Sequence, residues 1–367
     1  MSSPKIFLTG VTGYIGGDLF FVLYDAHPNY DYTLLVRNEA RADTVRKAYP
    51  DAKNIHFALG SLQDADVVSA AAAAADVVIH TGNSADDEPS TKAIVDGLVK
   101  GHTSSNPGVY IHVTGTALLT WYDVHHKRFG QPPREDQVFD DWDGVARLVD
   151  TMPDDAPHRN VDKIVLAAAR AHPAAVRTAL VAPSTIYGRG RGPGNQFSIQ
   201  VPAIAAYLLQ QGFAPIAAGS GETIWNNVHI HDVSRALVAL VEAALAPATR
   251  DDTAPATAVF GPHAYYILEN GTHLWSDVAR ALADTAAAQG FISSDTSVTV
   301  QSVSLADLTK PGGMSEAGLS LGTNSGGHAV RARKLLHWTP QEASLLESIP
   351  DTLATEATRL GIKPTKK

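Results

Sequence analysis

Glycines at positions 10, 13 and 16 recur at intervals of three within Thr9-Gly10-Val11-Thr12-Gly13-Tyr14-Ile15-Gly16. This G-x-x-G-x-x-G spacing is close to the fingerprint that cradles a dinucleotide. Gly10 allows a tight turn, Gly13 lets a diphosphate approach the backbone, and Gly16 lets the next helix pack closely on its strand. The diphosphate would lie over free N–H groups at a helix N-terminus, with Thr12, Tyr14 and Ile15 completing the loop. That chemistry requires a strand before the loop and a helix after it. Both are legible. Ile6, Phe7 and Leu8 form an apolar run, and Leu19, Phe20 and Leu23 mark one face of a helix over residues 14–25.

The alternation continues down the chain. Residues 32–36, 55–57, 76–80, 109–113 and 176–181 read as strands. Residues 39–48, a stretch beginning near Asp64, residues 90–101 and residues 159–171 read as the helices between them. Elements alternating at this spacing build βαβ units. Right-handed crossovers turn those into an α/β fold, a Rossmann-type doubly wound parallel sheet. After residue 183 the pattern loosens, with Pro183, Pro193 and glycines 188, 190, 192 and 194 punctuating a long loop. Residues 199–211 read as helix, 228–230 as strand, 232–245 as helix, and the Gly- and Ser-rich 312–327 as loop. The expected organisation is a dinucleotide-binding domain over 1–182, rejoined by 226–260. A smaller α/β substrate-binding lobe is expected from 183–225 and 261–367, with residues 363–367 frayed.

The 367 residues are 44% hydrophobic, carry a formal net charge of −9 and include no cysteine. The negative balance disfavours nucleic acid or an anionic membrane as main partner. Without cysteine there is no disulfide, thiolate catalysis or Cys-based zinc site. His125-His126 and His229-x-His231 lack a convincing set of further ligands, so no metal is expected. Residues 1–30 lack the basic start and long apolar run of a secretory signal. No run approaches the ~20 apolar residues that span a bilayer. The expectation is a cytoplasmic enzyme with a small-molecule substrate, open to pairing as a homodimer.

Further motifs sit at the strand ends: Val78-Ile79-His80-Thr81-Gly82, Thr114-Gly115-Thr116, Pro183-Ser184-Thr185-Ile186-Tyr187-Gly188 and Val228-His229-Ile230-His231-Asp232-Val233. Near the end stands Ala332-Arg333-Lys334-Leu335-Leu336-His337-Trp338-Thr339-Pro340. With the glycine loop, they make residues 4–340 resemble the extended short-chain dehydrogenase/reductase superfamily: the sugar-nucleotide epimerases and dehydratases, and the dihydroflavonol-reductase-like enzymes. The resemblance implies a nicotinamide cofactor. Ser61 and Leu62 would lie by the adenine. Thr81, Gly82 and Asn83, Thr114, and Pro183, Thr185 and Ile186 would line the nicotinamide side. A carboxylate ending the second strand would bind the ribose 2′-hydroxyl of NAD, whereas an arginine welcomes a 2′-phosphate. The chain has Leu35-Val36-Arg37-Asn38 there, with no carboxylate before Glu39. NADP(H) is therefore expected over NAD(H).

The resemblance also implies a tyrosine proton donor, a lysine four residues later that holds the ribose, and a threonine or serine after the fifth strand. Thr116 fits the last role. Lys163 is the expected lysine, yet four residues before it stands Arg159, and no Tyr-x-x-x-Lys occurs in the chain. Arginine stays protonated and is a poor proton donor, though it can polarise a carbonyl. His158, Tyr122 and Tyr187 remain as candidate donors. Asp162 could pair with Arg159 or Lys163. The 138–163 segment, with Phe139-Asp140-Asp141-Trp142-Asp143, is long for a connection and so a candidate for function. Asn195, Phe197, Gln200, Trp225 and Asn226 are expected to bind substrate. The leading expectation is an NADP(H)-dependent oxidoreductase that reduces a ketone or aldehyde with a non-standard proton donor. An epimerase, dehydratase or lyase with retained cofactor, or a non-catalytic NADP(H)-sensing protein, stand as alternatives.

Overall fold

The computed structural model describes residues 3–246, 258–292 and 300–364. Residues 247–257 of the segment expected to rejoin the first domain, and 365–367 of the tail expected to fray, lie outside the described residues. The first half runs β1 (Lys5–Thr9), α1 (Tyr14–Ala26), β2 (Asp31–Val36), α2 (Glu39–Ala48), β3 (Ile55–Leu59), α3 (Ala65–Ala74), β4 (Val77–His80), α4 (Glu88–Gly101) and β5 (Gly108–Val113). Then follow α5 (Trp121–His126), β6 (Val138–Asp140), α6 (Val145–Val149), α7 (Arg159–Ala171), β7 (Val176–Pro183) and β8 (Thr185–Tyr187). The second half adds α8 (Gln200–Gln211), β9 (Ala214–Ala217), β10 (Ile224–His229), α9 (Ile230–Leu245), β11 (Tyr265–Leu268), β12 (Thr272–Leu274) and α10 (Trp275–Ala288). It closes with β13 (Val300–Val303), α11 (Leu305–Thr309), α12 (Glu316–Leu321), β14 (Gly326–His328), α13 (Val330–Leu335) and α14 (Ile349–Leu360).

Seven parallel strands form the main sheet in the order β11-β7-β5-β4-β1-β2-β3. Strand order reverses beside β1, so a crevice opens at the C-terminal ends of β1 and β4, the switch point where ligands of such sheets bind. Side chains alternate across the strands with period two. Ile6, Leu8, Val77, Ile79, Ile111 and Val181 pack with Leu19, Phe20 and Leu23 of α1 and Val233 and Leu237 of α9. Phe7, Val78, Tyr110 and Leu180 pack on the other face with Val68, Ile94, Leu98, Val165 and Leu166 of α3, α4 and α7. Each such large apolar side chain contributes roughly 1.5–3 kcal/mol when fully buried. A third core joins α8, α10 and α14 in the smaller lobe.

Three expectations are corrected. Residues 265–268, assigned to the smaller lobe, form the outer strand of the main sheet, because β11 pairs in register with Leu180–Pro183 of β7. The 312–327 segment is not all loop: α12 forms there, and Gly326–His328 pairs with Val138–Asp140. Helix α9 starts at Ile230 rather than Asp232, its N-terminus capped by His229, whose Nδ1 accepts the His231 N–H at 3.1 Å. Among the described residues, no helix is long and apolar enough to cross a membrane.

Candidate active site

The three glycines divide their work as the spacing implies. Gly10 takes φ +80, and a Cβ there would stand 2.6 Å from Thr81 Oγ1. At Gly16 a Cβ would collide with the Gly10 carbonyl and the Thr81 hydroxyl. At Gly13 it would meet only the Gly10 carbonyl, at 3.1 Å, so the outer side of the loop is open. No side chain caps the N-terminus of α1. Its first amides are thus free to take a diphosphate. Thr81 serves the frame: its hydroxyl donates to the Thr9 carbonyl at 2.7 Å. The loop after β8 lies along the other side. Asn195 donates its N–H to the Thr12 carbonyl at 3.0 Å, and the Tyr14 hydroxyl donates to the Gly188 carbonyl at 2.6 Å. Arg191 fastens the loop to buried Asp18 through two bonds of 2.9 and 2.8 Å.

At the end of β2, Arg37 is exposed and makes no hydrogen bond or ion pair among the described residues. Asn38 caps α2, accepting the Arg41 N–H at 3.1 Å. Ser61 is engaged by Asp64, whose Oδ2 accepts its N–H at 2.6 Å and its hydroxyl at 2.9 Å. The Asp64 carboxylate therefore stands beside Ser61, and Leu62 packs against the core on the α3 face of the sheet. Asn83 holds φ +49 past β4, its carbonyl accepting the N–H groups of Asp86 and Asp87 at 3.1 Å. Pro183 ends β7, and Ile186 packs on the main core.

Beyond β5 the chain turns through Thr114, Gly115 and Thr116. The hydroxyls of Thr114, Thr116 and Thr185 are all buried and lack a hydrogen-bond partner among the described residues. Buried polar atoms without partners are rare. His158 faces this turn: a Cβ on Gly115 would lie 3.4 Å from its Nε2. Its Nδ1 bonds Asp86 Oδ1 at 2.8 Å, which holds the Asp86 carboxyl below the ordinary range. Asp86 fixes the ring so that Nε2 is the atom presented. His158 itself takes φ +66, a strained conformation for a residue with a side chain. Behind it, His80 (pushed down to about 4) and His112 are kept neutral by burial.

Other expected catalytic residues lie elsewhere. Arg159 is buried, and its two terminal nitrogens bond the carbonyls of Leu148 and Val149 at 3.1 and 3.0 Å, tying down the end of α6. It is a structural clamp. Lys163 is exposed and pairs with Asp154 at 2.8 Å. Neither pairs with Asp162, which is turned into the core where the Tyr265 hydroxyl donates to it at 3.3 Å. Tyr122 packs against the tilted ring of His126 and lies under Arg128 and Arg134, with no bond to Thr116 or His158 among the described residues. The Tyr187 hydroxyl donates to the Ala343 carbonyl at 2.8 Å.

The substrate residues divide. Trp225 is core, its indole N–H donating to the Thr323 carbonyl at 3.0 Å. Asn226 spends its amide on Gly271, Thr272 and Gly327. Both are frame residues because β10 is the middle strand of a buried three-stranded sheet. Asn195 and Phe197 close a local turn through two 3.1 Å bonds, and Gln200 bonds Ser320 at 3.0 Å. Phe197 lines a groove of about 830 Å³ with Gly188, Pro202 and His229. The His229/His231 pair does gain a third donor, Glu342. Their atoms are committed, though: His229 Nδ1 to the His231 amide, His231 Nε2 to the Arg189 carbonyl, and Glu342 to Arg235 at 2.8 Å.

Asp86 and Asp162 were not singled out from sequence for these positions. Asp86 looks like a second helix-capping acid beside Asp87. The signal for Asp162 was present in the apolar face of α7, which includes it and leaves Lys163 outside.

Comparison with known proteins agrees with this fold. A family described as NAD(P)H-binding matches residues 10–114. The protein named oxidase ucsJ, from an Acremonium species, is 32% identical over 360 residues, covering 98% of this chain and 99% of its own. Among solved structures, the dTDP-glucose 4,6-dehydratase of Streptomyces venezuelae, solved with NAD, is similar with TM-score 0.63 and 16% identity over 99% of this chain and 100% of that one. The UDP-glucuronic acid 4-epimerase of Bacillus cereus, also solved with NAD, is similar with TM-score 0.61 and 14% identity over 97% of this chain and 99% of that one. With an NAD(P)H-binding match over residues 10–114, a seven-stranded parallel sheet and a 32% identical relative spanning 98% of the chain, the protein belongs to the extended short-chain dehydrogenase/reductase family.

Proposed function

We propose that the protein is an NADP(H)-dependent oxidoreductase that reduces a ketone or aldehyde on a small organic molecule, with His158 as the proton donor. The carrying observation is the Asp86–His158 pair, with Nε2 turned to the Gly115 backbone and the unpartnered Thr116 hydroxyl one residue on. The cofactor supplies the hydride when bound. The open side of Gly13 and the uncapped start of α1 suit its diphosphate, and Arg37 suits a 2′-phosphate. As the carbonyl carbon takes the hydride, its oxygen becomes an alkoxide. Thr116 would donate a hydrogen bond to that oxygen, and His158 would give it the Nε2 proton. Asp86 steadies the imidazolium before transfer and keeps the ring aimed. The same residues serve the reverse reaction, in which neutral His158 takes the proton of an alcohol. The name of the Acremonium relative, an oxidase, is in keeping with that direction.

The test pairs binding with turnover. Purified protein should bind NADPH in a fluorescence titration and consume it with members of a ketone and aldehyde panel. His158→Gln should lower turnover by about a hundred- to ten-thousand-fold while leaving NADPH affinity intact. Tight NADPH binding with no turnover across the panel would refute carbonyl reduction. Product formed with no net loss of NADPH would point instead to an epimerase or dehydratase with retained cofactor.

A further inference from the structure

The turn that carries Thr116 has little of its own to hold it. Thr116–Thr120 is a 3₁₀ segment of five residues, entered through extended Gly115, and no side chain caps it. Such segments have poor hydrogen-bond geometry and rarely run this long. The Thr116 hydroxyl is buried and without a hydrogen-bond partner among the described residues. Its direction is therefore set by the backbone of residue 116 and by packing, not by a bond of its own.

A brace for that backbone comes from a distant part of the chain. Ser325, 1% exposed, donates its hydroxyl to the Thr116 carbonyl at 2.7 Å. Ser325 is itself fixed. Its N–H donates to the Ile224 carbonyl at 2.9 Å, and its carbonyl accepts the Asn226 N–H at 3.0 Å, so it lies as a parallel bridge beside β10. Asn324 grips the same stretch further along. Its backbone N–H and its side-chain amide both donate to Asp123 Oδ2 on α5, at 2.7 and 2.8 Å. Asp123 is fully buried and accepts from the Gln137 amide at 3.0 Å as well. Asn324-Ser325 thus holds the 3₁₀ turn at its first residue and again on the helix that follows it. Gly326–His328 then run on into the pairing with β6.

We propose that Ser325 is a positioning residue for Thr116: it fixes the backbone from which the Thr116 hydroxyl reaches the substrate oxygen. Through its seat beside β10 it also ties that hydroxyl to the three-stranded sheet that β10 centres. This inference rests on the reading of Thr116 as a hydrogen-bond donor to the developing alkoxide. Ser325 acts through Thr116 and has no other part in the reaction. A small displacement of the turn is enough to matter. A donor to a developing oxyanion works where the two atoms meet at about 2.7–3.1 Å, and a misplacement of about 1 Å costs about a hundred-fold in rate. With the Ser325 hydroxyl gone, the Thr116 carbonyl loses its outside partner and the uncapped turn is free to shift.

Two readouts test this, one of them without substrate. In full-length protein carrying methyl-labelled threonine, the Thr116 signal is identified by its loss in Thr116→Val. Its methyl order parameter should fall in Ser325→Ala, while those of Thr9 in β1 and Thr178 in β7 stay as they are. With a carbonyl compound that the enzyme turns over, Ser325→Ala should lower kcat by about 10- to 100-fold and leave KM and NADPH affinity in place. In a Thr116→Val background the same substitution should cost nothing further, because the two residues act as a unit. An unchanged Thr116 order parameter, a fall shared by Thr9 and Thr178, or equal losses of kcat in both backgrounds would each overturn the proposal. If Ser325→Ala does not fold, Ser325→Cys, close in size and a weaker donor, is read in its place. Should the wild type turn over no carbonyl compound while the Thr116 order parameter still depends on Ser325, the proposed reaction alone would be at fault.

Discussion

Replacing Arg37 by alanine tests cofactor choice at the exposed mouth of the cleft. β2 ends at Val36, and Arg37 follows with its side chain in water and no partner among the described residues. Asn38 secures the backbone there by capping α2. Glu39, the first carboxylate after the strand, is tied to Arg46 at 2.9 Å and so is not free for a ribose hydroxyl. Charge-assisted hydrogen bonds from a guanidinium are worth about 1.5–3 kcal/mol. Exposure and salt reduce this to about 1–2 kcal/mol at such a site. Arg37→Ala should therefore weaken NADPH binding by about 5- to 30-fold. NADH has no 2′-phosphate and should bind the variant and the wild type alike. Fluorescence titrations with both coenzymes, at low and high salt, measure the effect. The NADPH gap between wild type and variant should narrow as salt rises. An equal loss for both coenzymes, no loss for NADPH, or a wild type that prefers NADH would refute the charge argument.

Two further outcomes separate structure from chemistry. Arg159→Leu should cost about 1–3 kcal/mol in urea unfolding, because the Leu148 and Val149 carbonyls lose their buried donors. Turnover per folded molecule should stay unchanged; lost turnover at full stability would restore Arg159 to the catalytic set. For Asp18, burial works to raise its pKa, but the bonds from Arg191 and Ser234 outweigh it and leave it below the ordinary value. A depressed folded-state pKa contributes stability above the unfolded value, near ~3.9, and loses it as pH falls through the folded one. Asp18→Asn should thus be less stable at neutral pH by about 1–3 kcal/mol, a figure discounted because Arg191 is partly exposed. Its unfolding midpoint should also vary less than the wild type's under acid conditions. Parallel pH curves for the two proteins would contradict this.

The sheet was legible because its signals are local. Apolar-rich runs of three to six residues, a helix face between each pair, and glycines at the first turn state a βαβ series without reference to distant parts of the chain. What local pattern does not carry is the partner of a late strand. Tyr265-Tyr266-Ile267-Leu268 is as apolar as any central strand, yet only its pairing with β7 shows that it belongs to the main sheet. Composition also misled at 312–327, where Gly326–His328 is extended because Val138–Asp140 offers it an edge. The substrate candidates failed for a related reason. Trp225 and Asn226 have the chemistry of binding residues, but their donors and acceptors are consumed by neighbours from 269–327 that sequence reading had no means to place.

Helix α7 shows how an inherited spacing can hide the physical one. Counting back from Lys163 puts Arg159 at the donor position, which is one residue out of register with the helix's own faces. Val161, Asp162, Val165, Leu166, Ala168 and Ala169 are buried on α7, whereas Lys163, Ala167 and Arg170 are exposed. A lysine among the exposed positions does not reach the end of β5, whatever its distance from a candidate donor. The apolar periodicity therefore places Asp162 on the buried face of α7 and leaves Lys163 outside it. His158, which precedes the helix at φ +66, is bonded to Asp86 and faces Gly115 instead. That is why a histidine in a strained left-handed conformation is more informative here than the missing tyrosine.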